Sequence, residues 1–170
     1  VSRGLGDVYK RQIYGGTGSG QVDTSKAATM TSALTAAGLN VNTAMMDWYS
    51  AQIAQMKEDK TNRSTPGMFT EYADVPAATR IAEVSADAVA SSGVNLDGYK
   101  DAAIVVIGRS GGEGADLYTG EFTDGTSYFE LQDSERELLK YVASQGFSNT
   151  IVLINSSNAM AMDWVNNPEY

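Results

Sequence analysis

The sequence predicts an α/β fold with a mostly parallel sheet, and two features of the chain lead to that prediction. The segments AAIVVIG (102–108) and NTIVLIN (149–155) are short, apolar and rich in β-branched residues, as buried strands are. Helical patterns precede the first segment and separate it from the second. Helices that alternate with continuous apolar strands are typical of parallel sheets, because a parallel connection crosses over through a helix.

Three segments upstream of the first strand predict helices. Segments 24–38 and 78–93 have helical periodicity and each ends at a glycine, while segment 42–57 begins with Asn42 as its N-terminal cap. The apolar stripe expected on the first consists of Ala27, Met30, Leu34 and Ala37. The stripe expected on the helix at 42–57 consists of Met46, Tyr49, Ile53 and Met56.

The helix between the two strands has the strongest signals. Segment 131–146 places Asp133 and Glu135 in the first turn, where carboxylates interact favourably with the helix dipole, and Gly146 ends it. Its apolar face is expected to consist of Leu138, Leu139 and Val142. We expect Trp48 and Trp164 to be core or interface residues.

Two residue types that carry much enzyme chemistry are missing from the sequence. It has no cysteine, which excludes disulfides, thiol nucleophiles and Cys-ligated metals, and no histidine, which excludes Ser-His-Asp and Cys-His catalysis. Any chemistry must therefore use carboxylates, hydroxyls, lysine or arginine. The formal net charge of -9 disfavours nucleic acid as a partner, and no apolar run is long enough for a transmembrane helix.

Residues 1–12, VSRGLGDVYKRQ, resemble a translated sequencing-adaptor remnant, and we expect them to be foreign to the natural protein. The alternative is a native basic N-terminal segment. Without these residues the formal net charge changes from -9 to -11, because the segment holds three basic residues and one acidic residue. We take residues 13–170 as the domain. Cytoplasmic and secreted locations both stay open, because the natural N-terminus is not in view.

Ligands of parallel α/β sheets meet the loops at the carboxyl ends of the strands, here 108–128 and 155–159. The first loop begins with RSGGEGAD, in which glycines flank Glu113 and leave its carboxylate unscreened by neighbouring side chains. Arg109 could pair with a carboxylate or hold substrate hydroxyls, and Asp116 offers a second carboxylate. The alternative is a surface loop with solvated charges.

The glycine-rich segment GGTGSG (15–20) does not fit either phosphate-binding motif. Its glycines give G-x-G-x-G rather than the dinucleotide pattern, and Gln21 stands where a P-loop has lysine. A tight turn before a helix is the better interpretation.

Five motifs follow one another along residues 13–170: YGGTGSGQVD, then AGLNVN with MMDWY, then AAIVVIGRSGGEGADL, YFELQDSERELLKYV and TIVLINSSNAMAMDW. Their order resembles the second, α/β-sandwich domain of family 3 glycoside hydrolases, the β-glucosidase and β-xylosidase family. The resemblance implies a three-layer sandwich with a mostly parallel sheet. It also implies an incomplete one, a fragment whose first and last strands are missing.

The resemblance also implies a chemistry. Family 3 enzymes are retaining: a barrel domain supplies a nucleophilic aspartate, and the sandwich domain supplies a general acid/base glutamate in an S-G-E-G-type loop. Residues 111–114 match that loop, with glycine in place of its serine, so Glu113 is expected to be the acid/base. Arg109 and Asp116 are expected to bind substrate or to support Glu113, and the resemblance does not fix which. Gln132, at a frequent Ser/Thr cap, and Ala159, at a frequent proline, depart from the family.

The leading hypothesis is therefore that the chain is part of a β-glucosidase-like enzyme, which hydrolyses O-glycosidic bonds in oligosaccharides or aryl β-glycosides. It is expected to be inactive alone, because the barrel domain of the same chain is absent. No cofactor, metal, nucleic acid or membrane partner is expected. The alternatives are a non-catalytic sugar-binding or scaffold domain and, resting only on GGTGSG, a nucleotide-binding domain.

Overall fold

The computed structural model describes residues 26–61, 83–109, 121, 125, 127, 129–156 and 159–170. Its elements, in chain order, are helix α1 (Met30–Ala36), helix α2 (Thr43–Thr61), helix α3 (Ala86–Ala90), strand β1 (Ala103–Arg109), helix α4 (Asp133–Ser144), strand β2 (Thr150–Ser156) and a 3-10 helix (Asp163–Asn166). Both predicted strands and the helix between them are present, which confirms the α/β class. No helix among these residues is long and apolar enough to cross a membrane.

Strands β1 and β2 pair in parallel along their whole length, from Ala103 opposite Thr150 to Arg109 opposite Ser156. Helix α4 connects the two strands and contacts both β1 and α3. The unit β1–α4–β2 is thus a parallel crossover, as the alternation of apolar strands and helical patterns predicts.

The core lies between β1 and α4. Val105 and Ile107 project from β1 toward Leu138 and Leu139 of α4, and all four side chains are buried. The remaining buried apolar residues of this cluster are Val84, Val89, Leu131 and Trp164. Burial of these side chains from water supplies the main stabilisation of the domain, since each fully buried aliphatic side chain contributes roughly 1.5–3 kcal/mol.

The prediction that both strands are buried is wrong for β2 and for one face of β1. The pleat sends Ile104 to the face opposite Val105 and Ile107, and the register puts Ile151 and Leu153 on that same face. These three side chains are 36%, 44% and 38% exposed. An apolar run identifies a strand, but which of its faces is covered depends on the other layers of the fold.

Helix starts differ from the sequence prediction at two places, and side-chain caps explain both. Helix α1 begins at Met30 because the Thr29 hydroxyl accepts a hydrogen bond from the Ser32 amide (3.0 Å). Helix α3 begins only at Ala86, after residues 83–85 in non-helical conformation, because the Ser85 hydroxyl caps the Ala88 amide. Such local hydrogen bonds compete with an earlier helical start.

Other helix signals are confirmed. Asn42 caps α2, since its Oδ1 accepts from the Met45 amide at 3.1 Å. Gly38 and Gly146 follow α1 and α4 with φ of 84° and 70°, a conformation that favours glycine. Among the α2 side chains that the structure describes, Met45, Trp48 and Tyr49 pack on the core, and Tyr49 belongs to the expected stripe. The side chains of Ile53 and Met56 lie outside the described part. Trp48 and Trp164 are core-packing residues, as predicted.

Candidate functional site

The carboxyl ends of β1 and β2 lie side by side, with Gly108 opposite Asn155 and Arg109 opposite Ser156. The segments that follow the two strands therefore leave from the same edge of the sheet, as expected for a parallel pair. The amide of Ala161, beyond β2, donates to the carbonyl of Phe129, near the end of the segment that follows β1 (2.9 Å). The two segments thus meet at this edge.

Arg109, the last residue of β1, lies wholly inside the domain, with its side chain 0% exposed. Its Nη1 donates to Glu135 Oε1 and its Nη2 to Glu135 Oε2, each at 2.7 Å. Nη2 also donates to the carbonyl of Glu130 (2.7 Å), and Nη1 to the carbonyl of its neighbour Gly108 (2.9 Å). A planar guanidinium fits a carboxylate in this two-bond arrangement better than a lysine ammonium does.

Glu135 serves two partners at once. It lies in the first turn of α4, where a carboxylate interacts favourably with the positive end of the helix dipole. Its Oε2 also accepts from the backbone amide of Gln132, the residue before the helix (2.9 Å). The carboxylate is only 1% exposed, so the guanidinium and the amide replace the water that a free carboxylate would bind.

Gln132 departs from the serine or threonine expected at a helix cap, and its side chain is used differently. Its amide group donates to the carbonyl of Ser127 at 2.7 Å and lies 3.4 Å from the carbonyl of Glu130. Gln132 is 7% exposed. The Gln132 side chain, which is longer than that of serine or threonine, therefore links the preceding segment to the start of α4 by hydrogen bonds.

An antiparallel bridge joins Glu121 to Ser127, and Gly125 between them has φ of 79°. This backbone conformation of Gly125 is one that favours glycine. Ser127 connects the bridge to Gln132, and so to the start of α4.

The predicted site residues fall partly outside the described residues. Glu113 and Asp116 lie there, as does GGTGSG, and their predicted roles stay predictions. Arg109 is described, and it takes the first of its two expected roles, since it pairs with a carboxylate. Its expected contact with substrate stays a prediction. Among the described residues, no group of three or more acidic side chains could hold a metal ion.

Glu135 is the residue at this edge that the sequence interpretation missed as a site component. An acidic residue at the third position of a helix is a visible signal of capping. That signal does not reveal a bond to Arg109, which is 26 residues away in the sequence.

Comparison with protein families gives one match. The family model described as "Glycosyl hydrolase family 3 C-terminal domain" matches residues 5–170. The match begins inside segment 1–12, and the foreign origin of that segment stays a prediction. Comparison with curated proteins and with solved structures returned no match. Because the family model matches almost the whole sequence, the chain belongs to the family of glycosyl hydrolase family 3 C-terminal domains.

Proposed function

We propose that the chain is the acid/base-bearing part of a retaining β-glycosidase of β-glucosidase type, with Glu113 as the general acid/base. The observation that carries the proposal is the family match over residues 5–170, in a chain whose strand β1 ends four residues before Glu113. Ligands of parallel α/β sheets meet the loops at the carboxyl ends of the strands, which supports a functional role for a glutamate that follows β1 so closely in the sequence.

The residue types available support this chemistry. Hydrolysis of a glycoside with retention requires two carboxyl groups about 5–5.5 Å apart, one as nucleophile and one as acid and then base. No histidine is needed, and the chain has none. A glutamate flanked by glycines can be presented closely to a substrate, and enclosure beside a second carboxylate would raise its pKa so that it is protonated when the leaving oxygen needs a proton.

In this proposal the nucleophile is an aspartate of a barrel domain of the complete protein, as the resemblance to family 3 enzymes implies. Asp116, three residues after Glu113, is proposed to contact the sugar. The substrates proposed are oligosaccharides and aryl β-glycosides. In this proposal the domain alone has no hydrolytic activity, because it lacks the second carboxyl group of the pair.

The test uses the complete protein, wild type and Glu113→Ala, assayed on cellobiose and on p-nitrophenyl β-glucoside. Hydrolysis of cellobiose needs protonation of the leaving group, so the kcat of the variant on this substrate is expected to fall roughly 10²–10⁴-fold. Hydrolysis of the activated aryl glycoside is expected to slow far less in the variant, and azide is expected to accelerate it. A wild type with no activity on either substrate would favour a non-catalytic sugar-binding or scaffold domain, and unchanged kinetics of the variant would remove Glu113 from the mechanism.

A further inference from the structure

The Arg109–Glu135 pair joins the two ends of the segment that carries Glu113. Arg109 closes β1 immediately before that segment begins. Its guanidinium reaches across to the carbonyl of Glu130 and to Glu135, where the chain re-enters regular structure in α4. Residues 110–129 therefore start and finish at one buried cluster of charge-assisted hydrogen bonds.

The cluster fixes orientation as well as distance. The planar guanidinium makes two parallel bonds to the carboxylate, so a rotation of β1 relative to α4 would break at least one of them. The carboxylate is held in turn by the amide of Gln132. Because a displacement of about 1 Å in a reacting group can cost about 100-fold in rate, rigid ends on the segment of an acid/base have catalytic value.

The pair is poorly suited to binding substrate. Both side chains are fully buried, and the guanidinium donates hydrogen bonds to oxygens of Gly108, Glu130 and Glu135. It is also an inefficient source of stability, because well-packed apolar side chains of similar volume often stabilise a protein as much or more. What an apolar pair does not supply is a directional link between the two elements.

We propose that Arg109 and Glu135 are positioning residues for the general acid/base, acting through the ends of its segment. The proposal rests on the proposed function, since it needs Glu113 to be the acid/base. It predicts that disturbance of the pair lowers turnover only where the carboxyl group of Glu113 takes part in the reaction.

The experiment is a double-mutant cycle in the complete protein. Glu135→Gln and the volume-matched replacement Arg109→Met with Glu135→Leu are each made with Glu113 and with Glu113→Ala. Glu137→Gln is the matched control, since Glu137 lies two residues farther along α4 and its side chain is 63% exposed. Cellobiose turnover is measured with Glu113 present, and p-nitrophenyl β-glucoside turnover with azide is measured in all variants, well below each variant's Tm.

With Glu113 present, we expect Glu135→Gln and the double replacement to lower kcat on cellobiose about 10- to 100-fold with KM changed by less than about threefold. In the Glu113→Ala background, the same changes should alter azide-supported turnover of the aryl glycoside by less than about twofold. The control Glu137→Gln should alter turnover by less than about twofold in both backgrounds. The double replacement covers the case in which Glu135→Gln fails to fold.

Two results would overturn the positioning role. One is a double replacement that folds and keeps wild-type kcat on cellobiose. The other is an equal loss of aryl glycoside turnover with and without Glu113, which would mean that the pair supports the domain as a whole. Failure of the proposed function has a different signature, namely full cellobiose turnover by Glu113→Ala alone, and the positioning role would then fall with it.

Discussion

Trp164 lies with its indole nitrogen 2.8 Å from the carbonyl of Ala161, to which it donates a hydrogen bond, in the segment that follows β2. Ala161 in turn donates its amide to Phe129. The buried indole thus anchors the point where the segment after β2 meets the end of the segment after β1. The hydrophobic core thus supports the edge of the sheet at which β1 and β2 end.

Trp164→Ala is expected to destabilise the domain by about 3–5 kcal/mol, because it removes a large buried side chain and leaves a cavity. Trp164 is 6% exposed and also packs edge-on against Tyr170, with ring centroids 6.5 Å apart. Urea unfolding followed by circular dichroism measures the change. Val165→Ala is the control, because Val165 is next to Trp164 in the sequence and its side chain is 55% exposed. Its effect on the free energy of unfolding should stay within about 0.5 kcal/mol. Equal effects of the two variants would contradict the packing described.

The two faces of β1 should respond differently to the same substitution. Ile107→Ala is expected to cost about 2–5 kcal/mol, since Ile107 is 0% exposed against α4. Ile104→Ala removes the same atoms from the opposite face, where the side chain is 36% exposed, and should cost clearly less. The ratio of the two changes in unfolding free energy is the measurement. A cost for Ile104→Ala equal to that of Ile107→Ala would show that another layer covers this face.

Removal of one member of the buried ion pair should lower the free energy of unfolding more than removal of both. Arg109→Met leaves the buried carboxylate of Glu135 without its partner and is expected to cost about 3–5 kcal/mol. Arg109→Met combined with Glu135→Leu removes both charges and should recover much of that loss. The difference between the single and double variants in urea unfolding checks this expectation. A double variant less stable than the single one would contradict the geometry of the pair.

The pKa of Lys140 is raised above its ordinary value of 10.5, first because its Nζ hydrogen-bonds Glu169 and then because the charges of Glu169 and Glu137 attract it. A raised pKa in the folded state means that the ionised lysine stabilises the fold fully below pH 10.5, and that this contribution is lost as the pH rises through the raised pKa. The Tm difference between wild type and Lys140→Met should therefore be largest below pH 10.5 and should shrink as the pH rises through the raised pKa. A Tm difference that did not change with pH would contradict the assignment.

Much of the fold could be predicted from local signals. β1, β2 and α4 are identified by their composition, and Gly38 and Gly146 end helices because each adopts a positive φ. Apolar periodicity places the start of α3 too early, because it continues upstream of the Ser85 cap. The exposure of Ile151 could not be predicted, since covering of a strand depends on elements distant in the sequence.

In the candidate site, too, local features could be predicted from the sequence and long-range contacts could not. A glutamate between glycines after a buried strand can be recognised from the sequence, and so can an acidic residue in the first turn of a helix. The bond between Arg109 and Glu135 cannot, because it exists only once β1 and α4 are packed together. Long-range pairing of buried charges is a property of the tertiary structure, and no local signal around Arg109 indicates Glu135 as its partner.

The most direct test of the proposed chemistry is the product that Glu113→Ala of the complete protein forms from p-nitrophenyl β-glucoside in azide. If Glu113 is the acid/base of a retaining enzyme, the glycosyl-enzyme intermediate still forms, and azide attacks it without needing a general base. We expect β-glucosyl azide, identified by the coupling constant of its anomeric proton. A product containing glucose but no glucosyl azide, at a turnover that azide does not change, would contradict it.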